Sequence, residues 1–205
     1  HPEVKDNPNL TPFEKEYASM ILRLDQTVGL ILEEVERLGI DDRTMIVFSS
    51  DNGHEVYALQ QGRTTGRQQD LNGQPFDNIK TKFYSDMGGD IFNGNGGMAG
   101  LKWSSWEGGT RIPYLVRFPG VIEPDSVSDH MLANFDFMPT LADLIGVEMP
   151  AGKEGISFLP TLLGKSQQHD FIVYASGQGP ALVTVDGWKL RYINQPEKFQ
   201  LYDLK

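Results

Sequence analysis

The chain has 205 residues, 39% of them hydrophobic, and a formal net charge of −10. That is long enough and apolar enough for a folded core, which excludes a disordered chain. Acidity spread without long acidic blocks disfavours nucleic acid and anionic membrane surfaces as partners. The absence of cysteine excludes disulfides, thiolate metal sites and a cysteine nucleophile within this chain. No apolar stretch spans a membrane and no signal peptide is visible. The chain opens on His1 without a methionine and reads as a fragment.

Residues 1–10 are polar, carry Pro2 and Pro8, and read as an extended linker. Thr11-Pro12-Phe13-Glu14 is a helix start: Thr11 can cap, Pro12 fits the first turn, and Glu14 completes a capping box. Tyr17, Met20, Ile21, Leu24, Val28 and Ile31 then recur at helical spacing, and Gly39 suits the stop. This predicts a long amphipathic helix covering a sheet. A short turn leads into an apolar strand over Thr44–Ser50, half of a βαβ unit in a parallel sheet.

The strand runs straight into Asp51-Asn52-Gly53-His54. In open α/β sheets ligands bind beyond the carboxyl ends of strands. Asp51 and Asn52 offer two oxygen donors at such an edge, a chemistry that suits calcium. A strand followed by a plain Asx turn explains the same residues. Residues 55–100 form a long segment rich in Gly, Asn and Gln, with Arg63, Arg67, Lys80 and Lys82 as its bases. Such a segment is either functional or a solvated insertion.

Leu101 to Arg111 reads as a Gly- and Trp-containing loop feeding a buried strand that ends at Pro119-Gly120. A short helix follows, with Asp136 as its cap and Gly146 as its stop. Residues 155–164 hold a turn and another short helical piece. Phe171–Ser176, Ala181–Val185, Trp188–Ile193 and Phe199–Tyr202 read as strands of a small antiparallel sheet, with a hairpin turn at Asp186-Gly187.

Taken in order, these segments resemble the C-terminal half of a type I sulfatase of the alkaline phosphatase superfamily. The resemblance runs from Leu24-Asp25-Gln26-Thr27 through Ser50-Asp51-Asn52-Gly53 to Lys102 before Trp106-Glu107-Gly108-Gly109-Thr110-Arg111-Ile112-Pro113. It continues with Phe118-Pro119-Gly120, Asp136-Phe137-Met138-Pro139-Thr140, Asp186-Gly187-Trp188-Lys189 and Leu201-Tyr202-Asp203-Leu204. It implies an α/β fold: part of the alkaline-phosphatase-like sheet with covering helices over residues 11–165, then an antiparallel subdomain over 166–205.

The resemblance also implies roles. Asp51 and Asn52 correspond to the family's calcium ligands. Lys102 corresponds to the lysine that contacts the sulfate and the leaving-group oxygen. Glu107 and Arg111 fall to structure. His54 could touch substrate, support the metal site, or be a polar loop residue. By composition rather than by resemblance, Arg63, Arg67, Lys80 and Lys82 suit a polar, anionic ligand such as a sulfated sugar. Trp103 either offers a face to a sugar or packs, and Trp106 packs. The family's nucleophile is a formylglycine made in a Cys/Ser-x-Pro/Ala-x-Arg motif, and no such motif occurs here. The other calcium-binding aspartates are also missing, so the expected partner is the N-terminal half of the same protein and the chain alone is expected to be inactive. The implied substrate is a sulfated small molecule or glycan, and the implied location is periplasmic or secreted. A phosphoester or phosphonate hydrolase of the same superfamily, or a non-catalytic binding module, are the alternatives.

Overall fold

A computed structural model describes residues 1–8, 10, 12–53, 64–66, 69, 70, 98–100, 102–165, 167–177, 179–194 and 197–205. The chain divides into two compact units. The first comprises His1–Asp41 and Asn52–Tyr114, the second Asp42–Asp51 and Leu115–Lys205.

In the first unit, α1 (Pro2–Lys5) is a helical turn where an extended lead-in was expected. Pro2 at its first position has no N–H to leave unsatisfied, Glu3 sits in the first turn and Lys5 in the last, all favourable to a helix. The long helix α2 spans Pro12–Arg37, as its apolar spacing predicts. The capping residues Thr11 and Glu14 lie outside the residues whose side chains are described. Ala18 is buried, while Met20, Ile21, Leu24 and Ile31 stay exposed along the apolar stripe. Two short strands, β2 (Thr64–Gly66) and β3 (Gln69–Asp70), pair antiparallel. Glu107–Thr110 is a turn of helix, α3, rather than loop.

The second unit carries β1 (Ile46–Ser49), hydrogen-bonded to β4 (Tyr114–Arg117), whose first residue the division assigns to the other unit. Helix α4 (Phe137–Ile145) ends at left-handed Gly146, and α5 covers Leu159–Leu162. Four strands then form one antiparallel sheet in sequence order: β5 (Phe171–Ser176), β6 (Gly179–Thr184), β7 (Trp188–Asn194) and β8 (Glu197–Asp203). The hairpin at Asp186-Gly187 forms as predicted, closed by the Gly187 N–H donating to the Thr184 carbonyl at 3.0 Å.

This sheet inverts the usual alternation. On β7, Trp188 and Leu190 are exposed, whereas Lys189 and Arg191 are 1% and 0% exposed. Register places Lys189 between Val183 and Tyr202, and Arg191 between Ala181 and Gln200. The Arg191 guanidinium donates to Gln200 Oε1 at 2.8 Å, and the Lys189 ammonium lies 5.3 Å from the centre of the Tyr174 ring.

The other buried polar feature is Asp136. It stands at the start of α4 but does not cap it. Its side chain instead accepts from the Ala133 N–H at 2.7 Å and from the Ile156 N–H at 2.8 Å. The His169 Nε2 lies 2.8 and 2.9 Å from its two oxygens. Its own carbonyl accepts from Thr140 Oγ1, which in turn accepts from the Phe158 N–H. One fully buried carboxylate thus ties the α4 turn, the 155–158 segment and the entry to β5 together. Asp136→Ala strands two amides and an imidazole, and should cost about 3 kcal/mol in denaturant unfolding; a loss under 1 kcal/mol would refute this role.

His130 sits beside this cluster, its Nδ1 3.0 Å from Thr161 Oγ1 and its ring against Phe158. Burial holds its pKa below the ordinary 6.5, with Asp136 pulling it back up and His169 pushing it further down. The unfolded chain therefore takes up this proton at a higher pH than the folded chain does. The stability His130 contributes is whole above about pH 6.5 and is lost as pH falls through the lower folded value. Unfolding midpoints at pH 7.5 and 5 should differ less in His130→Asn than in the parent.

Candidate active site

The site is built on a contact between two short motifs, both within the first unit. The Gly53 N–H donates to the Gly109 carbonyl at 3.0 Å. The fit is tight: a Cβ on Gly53 would stand 1.8 Å from the Gly108 carbonyl oxygen and 2.8 Å from the Gly109 Cα. The Gly108 N–H reaches back to the Ala99 carbonyl at 2.8 Å. Backbone hydrogen bonds and close backbone approach therefore link three segments, 52–53, 99–100 and 107–110.

Between the second and third of these lies the loop that carries Lys102 and Trp103. Its stem is packed. Gly100 has φ +85°, and a side chain there would meet the Trp106 Cβ at 2.4 Å and the Ser104 Oγ at 2.5 Å. Ser104 and Ser105 are buried, and Ser104 Oγ accepts from the Trp106 N–H. Thr110 Oγ1 donates to the Trp106 carbonyl and the Arg111 N–H to the Glu107 carbonyl, closing α3. At the tip, the Lys102 ammonium lies 5.6 Å from the centre of the Trp103 ring, within range of a cation–π attraction. Trp103 is 50% exposed.

Asn52 adjoins Gly53 and is brought with it to α3, while Asp51 is the last residue of the segment assigned to the second unit. Asp51 is exposed and Asn52 half-buried at the end of β1. Their donors fit a calcium ion in kind, carboxylate and carboxamide oxygen, but not in number. Among the described residues no group of three or more His, Cys, Asp or Glu is placed to hold a metal. His54, Arg63, Arg67, Lys80 and Lys82 lie outside the described residues. The sequence reading missed Gly53 and Gly100 as packing positions. Glycines flanking both motifs were the available signal.

The sulfatase family profile matches residues 5–147, and that of the N-sulphoglucosamine sulphohydrolase C-terminal region matches 102–205. This chain belongs to the sulfatase family. Rat steryl-sulfatase is 32% identical to it over 163 residues, covering 77% of this chain and 24% of the relative. N-acetylgalactosamine-6-O-sulfatase of Bacteroides thetaiotaomicron is 30% identical over 173 residues, covering 83% of this chain and 30% of the relative. A solved sulfatase structure from work on glycosaminoglycan metabolism by the same bacterium superposes with a TM-score of 0.62 at 26% identity, over 90% of this chain and 37% of that one. The chain thus spans about a quarter to a third of the curated relatives it matches. Its fold is the alkaline-phosphatase-like α/β architecture of those proteins, with the expected antiparallel sheet at its C-terminal end.

The Gly53 contact can be tested directly. Gly53→Ala forces a methyl group into the Gly108 carbonyl and should lower stability by about 2 kcal/mol in the full-length protein; an unchanged melting temperature would count against the tight seat.

Proposed function

We propose that this chain is the C-terminal part of a calcium-dependent sulfatase that hydrolyses sulfate esters of a carbohydrate. The observation that carries the reading is the seat of Gly53, the residue after Asn52, against Gly108–Gly109, the turn that follows the Lys102 loop in sequence, in a sulfatase-family chain. A strand-end oxygen pair and an ammonium on a packed loop are the two parts such chemistry asks of this chain.

Hydrolysis of a sulfate ester moves the sulfuryl group to a nucleophile and leaves negative charge on the departing oxygen. The Lys102 ammonium would donate to a sulfate oxygen and to that departing oxygen, an interaction that strengthens as charge develops. Asp51 and Asn52 would hold calcium with ligands from the rest of the protein. When bound, that ion neutralises sulfate charge and fixes the orientation of the ester. The nucleophile, a formylglycine by family resemblance, would come from the N-terminal half. Arg63 and Arg67 would meet anionic substituents, and His54 would complete the substrate contacts. Support for a glycan substrate comes from the relatives: one is named for N-acetylgalactosamine 6-O-sulfate, and the solved neighbour comes from work on glycosaminoglycans. A periplasmic or secreted location goes with such substrates.

The test uses the full-length protein on matched sulfate and phosphate esters. Lys102→Ala should lower kcat/KM on the sulfate ester by about 100-fold or more. The Asp51→Asn, Asn52→Ala pair should weaken calcium binding in a calorimetric titration as well as abolish turnover. A clear preference for the phosphate ester, or full activity in the double variant, would overturn the reading.

A further inference from the structure

Among the described residues, two that are not glycine have backbone in the left-handed region: Asp125 at φ 57° and Trp103 at φ 77°. Aspartate visits that region at modest cost, because its short polar side chain can bond locally; a bulky aromatic does not. Glycine would hold the Trp103 position without strain, as Gly100 does three residues earlier at φ +85°. Burial of the indole is not what compensates, since half of the residue is in solvent. What the left-handed turn does is set the Trp103 ring beside its own chain neighbour. The Lys102 ammonium stands 5.6 Å from the ring centre. The turn itself is held from behind by Ser104 and Ser105, both essentially inaccessible, and by the contact of Gly100 with Trp106. Strain that surrounding packing enforces is a recurrent mark of functional positions.

We propose that Trp103 is a positioning residue for Lys102: its ring face holds the ammonium so that a long, flexible side chain meets the substrate already oriented. This rests on the reading of Lys102 as the sulfate-contacting lysine. A lysine carries considerable rotamer entropy, and a cation restrained before substrate arrives loses less of it in the transition state. The ring works through the ammonium, so its contribution belongs in kcat and depends on Lys102 being present. That separates it from a sugar platform, which would act on KM whether or not Lys102 is there.

The experiment is a double-mutant cycle in the full-length protein on a sulfate ester. Trp103→Leu should lower kcat by about two- to five-fold with little change in KM, the size expected of one partly exposed cation–π contact. Trp103→Phe should recover part of the loss. In a Lys102→Ala background, Trp103→Leu should change kcat no further. Equal losses with and without Lys102, a rise in KM with kcat unchanged, or no loss at all would each overturn the proposal while leaving the role of Lys102 intact. An unaltered kcat in Lys102→Ala would overturn the role of the lysine and, with it, that of the ring. Melting temperatures verify that each variant is folded; should the leucine variant unfold, Trp103→Tyr and Trp103→Phe carry the same comparison.

Discussion

The candidate site hangs on one backbone hydrogen bond, from the Gly53 N–H to the Gly109 carbonyl. The turn that leaves β1 and the loop that carries Lys102 are far apart in sequence, and closing so long a stretch of chain costs entropy. The join is made by glycines on both sides, because only their absent side chains let the two backbones come within contact of each other. Donor and acceptor of this bond are both main-chain groups, so its geometry does not depend on rotamers. A site of the kind proposed, with a cation ligand and a lysine in fixed relation, would gain from that rigidity.

The sequence was legible wherever a local rule decides the outcome. Helix α2 follows from the spacing of its apolar residues, α4 from its stop at Gly146, and the C-terminal strands from aromatic and β-branched runs broken by Asp186-Gly187. It was less legible wherever tertiary partners decide. Asp136 looks like a helix cap by position, but amides of residues before and well after it compete for its oxygens and win. Glu107–Thr110 looks like loop because Gly108 and Gly109 are poor helix formers; their contacts with Ala99 and Gly53 impose the turn. At the site, the family order of motifs pointed to Asp51, Asn52 and Lys102 as candidates. The strain at Trp103 left no mark in the sequence, since a backbone torsion is not a residue type.

The C-terminal sheet shows the same limit from another side. Alternation along β7 would bury Trp188 and Leu190 and expose Lys189 and Arg191, yet the cations are buried. Burying charge is costly unless polar partners replace water. Gln200, across from Arg191, and the Tyr174 ring, under Lys189, supply part of that replacement. A binary pattern counts apolar residues and cannot see such partners, which sit on other strands.

Asp136 and Asp51 show how one residue type takes two opposite parts. Asp136 is enclosed, and its two oxygens are met by two amides and an imidazole. A carboxylate so fully engaged fixes structure and has little left to offer a ligand. Asp51 stands in the open at a strand end, next to an amide that is only half covered. A calcium ion takes about six to eight oxygens, so these two side chains can supply only a minority of its shell. Under the proposed function, the affinity of this edge for calcium would depend on oxygens brought by other parts of the protein. On that reading, docking of the rest of the protein and loading of the metal would be thermodynamically linked: each missing ligand would weaken binding of the ion, and the ion, once held, would tie the parts together.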